Sequence, residues 1–256
     1  RDWSSDVCSS DLARTRCWSG RRSRGPRTPS RPFGPSRAWR CVAVVEVKFC
    51  GLTRSEDAAQ AAALGARYAG FIFAGGPRER TPSVAVGVLS AAPPCRRVGV
   101  FGADALTRIP ATVSTCPLDV VQLHADPGPA DVAAVRRVFD GAVWAVVRVE
   151  GDAVPTGIAD LFAAADAVVL DARAPGGLGG SGRAFDWAAV ARRLPQDRGA
   201  TALVLAGGLR PENVQDGIRA IGPDIVDVSS GVESAPGIKD HARMAAFMRA
   251  AAGAEA

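Results

Sequence analysis

The 256-residue chain has only two histidines, His124 and His241, and six cysteines: Cys8, Cys17, Cys41, Cys50, Cys95 and Cys116. No two cysteines stand in Cys-x-x-Cys spacing, so a zinc site is not expected. A body of this length needs no disulfide framework, which makes a reducing cytoplasm the default compartment. Apolar runs of roughly 18 residues are absent, so no membrane helix is expected. The N-terminus lacks the charged-then-apolar order of a secretory signal.

A basic surface is also missing from most of the chain. The formal charge is +5, but residues 1–44 hold ten Arg and no Lys against three Asp, whereas the remainder holds 21 basic and 23 acidic groups. The body therefore gives no support to a nucleic-acid role. Residues 1–44 are rich in Arg, Ser, Pro and Gly without strand or helix periodicity, and are expected to be disordered. Arg1 to Leu12 resemble a translated sequencing adapter, so this extension is expected to be non-native or misannotated. A native disordered tail is one alternative. An Arg-rich nucleic-acid or transit segment is the other, which Asp2, Asp6 and Asp11 oppose.

What the chain does contain is alternation. Eight short apolar runs begin at Val44: 44–49, 68–73, 97–101, 119–123, 143–149, 167–170, 202–205 and 225–228. Most are too apolar to alternate, as parallel strands covered on both faces should be. Helical patterns lie between them. Thr53-Arg54-Ser55-Glu56 has the form of a capping box before 58–64 and a stopping Gly65. A helix is predicted over 131–139 after Pro129, one from Pro211, one over 240–251, and a weaker one over 84–90. Strict alternation over 45–252 predicts an α/β fold, a single-domain (β/α)8 TIM barrel carrying the N-terminal extension. The runner-up is a doubly wound open sheet. That fold puts its glycine fingerprint after the first strand, whereas glycines here cluster after the last three.

A barrel carries its chemistry at the carboxyl ends of its strands. The first ends Lys48-Phe49-Cys50, with Lys48 and Cys50 on one side and Phe49 on the other. An ammonium near a thiol lowers its pKa, which makes Cys50 a candidate base; a small buried hydrophobe is the alternative. Arg78 follows the second strand, either clamping a carboxylate or solvated on a loop. His124 ends the fourth, either donating to substrate or capping a loop. Asp171 ends the sixth, either a general acid raised by partial burial or a turn former. Glycine-rich loops at 176–182, 206–209 and 229–232 permit close approach of backbone N–H groups to a phosphate.

These motifs together resemble the phosphoribosylanthranilate isomerase family. The resemblance rests on Val47-Lys48-Phe49-Cys50-Gly51-Leu52-Thr53, Gly70 to Phe73, Pro77-Arg78, Val121 to His124, Leu170-Asp171, Gly179 to Trp187, Leu205 to Leu209 with Pro211 to Asn213, and Asp227 to Glu233 with Pro236 to Asp240. It implies Cys50 as general base and Asp171 as general acid. It places Lys48, Arg78 and His124 among the substrate-binding residues, with Arg78 on the anthranilate carboxylate. Gly180, Ser181, Gly182, Gly207, Gly208, Ser230 and Gly231 would bind the phosphate. Departures from the family pattern are Gly76 for Ser, Ala125 for Gly, Ser181 for Thr and Arg183 for Lys.

The implied reaction is an Amadori rearrangement in tryptophan biosynthesis, with no metal or cofactor. The implied partner is a small phosphorylated substrate, without nucleic acid or membrane, for a cytoplasmic monomer or homodimer. Rival readings are a histidine-pathway or dual-substrate isomerase on the same barrel, a catalytically silent phosphate-binding barrel, and a nucleic-acid binder using the Arg-rich tail. Cys50 opposes the first, since those enzymes typically carry Asp there. Cys50 and Asp171 together oppose the second.

Overall fold

The computed structural model describes residues 45–172 and 185–253. The Arg-rich extension lies outside the described residues, as do Gly180, Ser181, Gly182 and Arg183 of the glycine-rich loop.

Eight parallel strands close into a barrel in chain order. They are β1 (Glu46–Phe49), β2 (Tyr68–Ile72), β3 (Arg96–Phe101), β4 (Val120–Leu123), β5 (Ala142–Val149), β6 (Ala167–Ala172), β7 (Ala202–Leu205) and β8 (Ile225–Val228). Closure is direct, with Glu46 opposite Ile225 and Phe49 opposite Val228. The open sheet is thereby excluded. The alternating helices are α1 (Ser55–Ala63), α2 (Pro82–Leu89), α3 (Ala105–Thr115), α4 (Pro129–Val135), α5 (Ile158–Ala164), α6 (Trp187–Ala191), α7 (Val214–Ile221) and α8 (His241–Ala252). Between β8 and α8 lie a 3₁₀ turn, Ser230–Val232, and a hairpin of β9 (Glu233–Ala235) and β10 (Ile238–Lys239), which the periodicity does not announce.

Two cores explain why the strands read as unbroken apolar runs. Residues of one parity, such as Phe49, Phe71, Val121, Leu170 and Leu205, are buried against the helices. Those of the other parity, such as Tyr68, Val98, Val120, Trp144, Val169 and Ile225, fill the barrel interior. Each such side chain contributes roughly 1.5–3 kcal/mol through burial. Phe49 turns outward as expected, its ring 6.3 Å from Phe247 of α8. Tyr68 and Trp144 meet edge to face at 5.0 Å inside the barrel. Farther along the strands, inward positions become polar: Lys48, Gln122 and Asp227 are all buried.

Local signals were overridden in places. α1 starts at Ser55 with Arg54 as its N-cap and no capping side chain, so the Thr53–Glu56 box does not form. The Thr53 hydroxyl instead donates to the buried Gly237 carbonyl. A buried carbonyl needs a donor, and that need outbids a helix cap. α7 starts at Val214, not Pro211, because Asn213 ties the preceding turn: it accepts from Arg210 N (2.8 Å) and donates to Gly208 O (3.0 Å). α4 stops at Val135, short of Phe139. α8 starts at His241, one residue later than expected, because Asp240 is its N-cap, accepting from Ala242 N and Arg243 N. Among the described residues no helix is long and apolar enough to cross a membrane.

Candidate active site

A cavity of about 110 Å³ opens at the carboxyl end of the barrel. Cys50, Arg78, His124 and Asp171 line it, together with Gly207, Gly208 and Ser230. Eight turns of chain thus bring residues from β1 to the β8 loop around one space. Leu209 and Ser229, from the loops expected to approach a phosphate, also line it, as do Gln122 and Asp227, to which sequence reasoning gave no role.

Cys50 is pinned at both backbone ends. Its N–H donates to Val228 O at 2.9 Å, and its carbonyl accepts from Lys239 Nζ at 2.6 Å. A Cβ on Gly70 would lie 3.0 Å from Cys50 Sγ, so the thiol needs glycine on the neighbouring strand. The electrostatics differ from the sequence expectation. Burial pushes the Cys50 thiol above its ordinary range; Lys48 pulls it down, and Asp227 pushes it up again. Lys48 therefore does not make a low-pKa thiol here. Its ammonium is committed to Asp227 Oδ2 (2.6 Å) and Gln122 Oε1 (3.0 Å), and it is 0% exposed. Lys48 is not among the residues lining the cavity; it bonds Gln122 and Asp227, which are.

Asp171 behaves as anticipated. Burial, reinforced by the charge of Asp227, pushes its carboxyl up to about 7, against the opposing pull of Lys48. His124 Nε2 stands 3.6 Å from Asp171 Oδ2, too long for a hydrogen bond. Burial, with repulsion from Lys48 and Arg148, pulls His124 down to about 4, so it is neutral near pH 7. Its Nδ1 is buried without a partner among the described residues. Arg148 is the register neighbour of Asp171 on β5, yet it turns to Asp126, with Nε 2.8 Å from Oδ1 and Nη2 2.6 Å from Oδ2.

Arg78 is not a solvated loop residue. Glu233 takes its Nε at 2.9 Å and its Nη2 at 2.6 Å. The same carboxylate accepts from Lys239 Nζ at 2.8 Å. Despite burial, the Arg78 hydrogen bonds and the Lys239 charge hold Glu233 below the ordinary carboxylate range. Burial dominates at Lys239 and lowers it, against the pull of Glu233. One guanidinium edge is thus used up, which leaves the Nη1–Nη2 edge for any further acceptor. Glu233 and Lys239 flank the β9–β10 hairpin, and linear spacing gave no sign that they would meet over Cys50.

The glycines after β7 and β8 have definite reasons. Gly207 has φ +80°, and a Cβ there would sit 2.7 Å from Asp171 Oδ1. The same Cβ would strike the Ala172 backbone nitrogen, so only glycine fits against β6 there. Gly231 does not line the cavity; a Cβ there would strike the Leu209 carbonyl, so it lets the two loops touch behind the pocket. Of the β8 loop, Ser229 and Ser230 line the cavity. Among the described residues no group of three His, Cys, Asp or Glu could hold a metal ion.

Fold and pocket define an enzyme of the (β/α)8-barrel class, with ionisable groups gathered over glycine loops after β7 and β8. Comparison with known proteins narrows the class. The family model for N-(5'phosphoribosyl)anthranilate (PRA) isomerase matches residues 47–250, and the chain belongs to that family. It is 43% identical over 207 residues to the N-(5'-phosphoribosyl)anthranilate isomerase of Acidithiobacillus ferrooxidans, covering 80% of this chain and 96% of the relative. The Nitrosococcus oceani relative of the same name is 40% identical over 205 residues, covering 79% and 95%. The phosphoribosyl anthranilate isomerase structure from Thermotoga maritima superposes with a TM-score of 0.70 at 33% identity, covering 82% of this chain and 99% of that one. Another structure, at 0.66 and 32% identity, holds reduced 1-(o-carboxyphenylamino)-1-deoxyribulose 5-phosphate; 82% and 99% of the two chains are covered.

Proposed function

We propose that this isomerase converts N-(5-phosphoribosyl)anthranilate to 1-(2-carboxyphenylamino)-1-deoxyribulose 5-phosphate, a step of tryptophan biosynthesis. The observation that carries the reading is that Cys50, just after β1, and Asp171 on β6 line one cavity flanked by the β7 and β8 glycine loops. Asp171 is held protonatable near pH 7, as an acid must be. It gives its proton to the furanose oxygen. The C1′–O4′ bond breaks toward oxygen, and the anthranilate nitrogen lone pair closes a C1′=N iminium. Cys50, as thiolate, then takes the C2′ proton. The freed electron pair forms C1′=C2′, and the C=N pair returns to nitrogen. The enolamine gains a proton at C1′ and loses one from the 2′-hydroxyl to give the ketone.

Arg78 holds the anthranilate carboxylate along its remaining edge. Gly207, Gly208 and Ser230 grip the phosphate, with Gly180, Ser181 and Gly182 of the same motifs, while Gly231 lets the β8 loop close against Leu209. Binding at both anionic ends supplies orientation at the reacting centre. No step calls for a cofactor. A phosphorylated metabolite as substrate fits a cytoplasmic enzyme, monomeric or homodimeric. The test is fluorescence-monitored consumption of phosphoribosylanthranilate by the purified full chain. First-order loss with appearance of the ketose product is expected; a stable signal at micromolar enzyme would sink the reading.

A further inference from the structure

Asp227 is an acid the rearrangement leaves unused. Adjacent parallel strands set it and Lys48 at the same register on the inner face. Lys48 takes Oδ2 at 2.6 Å. The second oxygen, Oδ1, is buried and finds no donor among the described residues. Asp227 is 7% exposed and lines the cavity beside Cys50, Asp171 and Ser229. A buried carboxylate oxygen without a donor carries a desolvation cost that the fold itself does not offset. In a pocket, such an atom marks where a ligand donates.

The charges of the ligand decide which part can donate. Its phosphate and its carboxylate are both anionic, and a carboxylate oxygen accepts but does not donate. Neither end can face Asp227. The phosphate goes to the β7 and β8 loops and the carboxylate to Arg78; the linking amine N–H is taken by its own ortho carboxylate, which leaves the sugar hydroxyls as the donors between them. Asp227 stands on β8, next to the strand that carries Cys50. We propose that Asp227 Oδ1 accepts a hydrogen bond from a secondary sugar hydroxyl of the substrate, and that Lys48 and Gln122 hold the carboxylate in position for it. The proposal rests on the isomerase reading above, whose substrate supplies the hydroxyl.

The test uses the full chain and polyol phosphates that lack anthranilate. Calorimetry compares ribitol 5-phosphate with its 2-deoxy and 3-deoxy counterparts, and with inorganic phosphate. A hydrogen bond to a charged acceptor predicts that wild type binds ribitol 5-phosphate roughly 10- to 100-fold more tightly than one deoxy counterpart. In Asp227→Ala that gap should collapse, because no side-chain group is left to meet the hydroxyl, while affinity for inorganic phosphate stays unchanged. If the single variant does not fold, Lys48→Met with Asp227→Leu removes the whole pair and should close the gap likewise. No gap in wild type, a gap that survives either variant, or an equal loss of phosphate affinity overturns the proposal. Turnover of phosphoribosylanthranilate reports separately: absent turnover with a measured gap removes the isomerase reading alone.

Discussion

Arg78 and Glu233 meet side-on across 155 residues of chain, with Nη2 2.6 Å from Oε2 and Nε 2.9 Å from Oε1. In the proposed mechanism the arginine that holds substrate is therefore aimed by a carboxylate that need not touch it. Lys239, bonded to both Glu233 and the Cys50 carbonyl, ties that arginine's position to the backbone of Cys50, the proposed base. Glu233→Gln should raise KM several-fold more than it lowers kcat. It should also lower thermal stability, since breaking a buried pair from one side costs about 3–5 kcal/mol. Steady-state kinetics beside a melting curve check both. An unchanged KM with a lowered Tm would leave Glu233 a purely structural residue.

Arg78→Ala removes the anion clamp itself. Its expected effect is chiefly on KM, because an interaction made equally in ground and transition states is uniform binding. If kcat fell instead while KM stayed put, the carboxylate would have to be held elsewhere.

Cys50→Ser and Asp171→Asn should each keep the fold and lower kcat by roughly 10²- to 10⁴-fold, the usual worth of a positioned proton transfer. Circular dichroism verifies folding, and single-turnover rates measure the chemistry. Near-normal turnover in either variant would remove that residue from its role.

The pH profile carries a sharper expectation. Asp171 must be protonated and titrates at about 7; Cys50 must be a thiolate and titrates above a thiol's ordinary range. The productive form is thus a minority at every pH. The profile of kcat/KM should still be a bell, with its acid limb near 7 and its alkaline limb above 9.0, each belonging to the coupled pair. Asp171→Asn should abolish the alkaline limb and leave a rise with pH through the Cys50 titration. A profile flat from pH 6 to 9 contradicts the assignment.

Stability should depend on pH through His124. Folded, it titrates at about 4 rather than its ordinary 6.5, so below 6.5 the unfolded chain binds a proton that the folded one refuses. Stability is present above 6.5 and is lost as pH falls toward 4. Asp171 acts oppositely. Its folded value, about 7, lies above the ordinary 3.8, so its contribution is present at low pH and lost as pH rises through 7. The stability advantage of wild type over His124→Asn should therefore shrink from pH 6.5 to 4. Parallel denaturation curves across that window would show that the imidazole is not desolvated as described.

Much of this was legible in the chain. The eight strands fall within a residue or two of the apolar runs, because a strand buried on both faces leaves no other composition available. Parity on β1 separated Phe49 from Cys50 correctly, since side chains alternate strictly along a strand. Strand ends placed Arg78, His124 and Asp171 at the mouth. Asp227 was the missed signal: an acid at inward parity in the apolar run Ile225–Val228.

Composition and periodicity by themselves determined the barrel, its order, and which side chains reach its mouth. Only the closed structure decided what those groups feel. Lys48 sits two residues from Cys50, yet its charge is taken by an aspartate 179 residues away, and burial lifts the thiol that proximity was expected to lower. The reason is physical: alternation is a property of neighbours along the backbone, whereas desolvation and ion pairing depend on everything that folding gathers within a few ångströms.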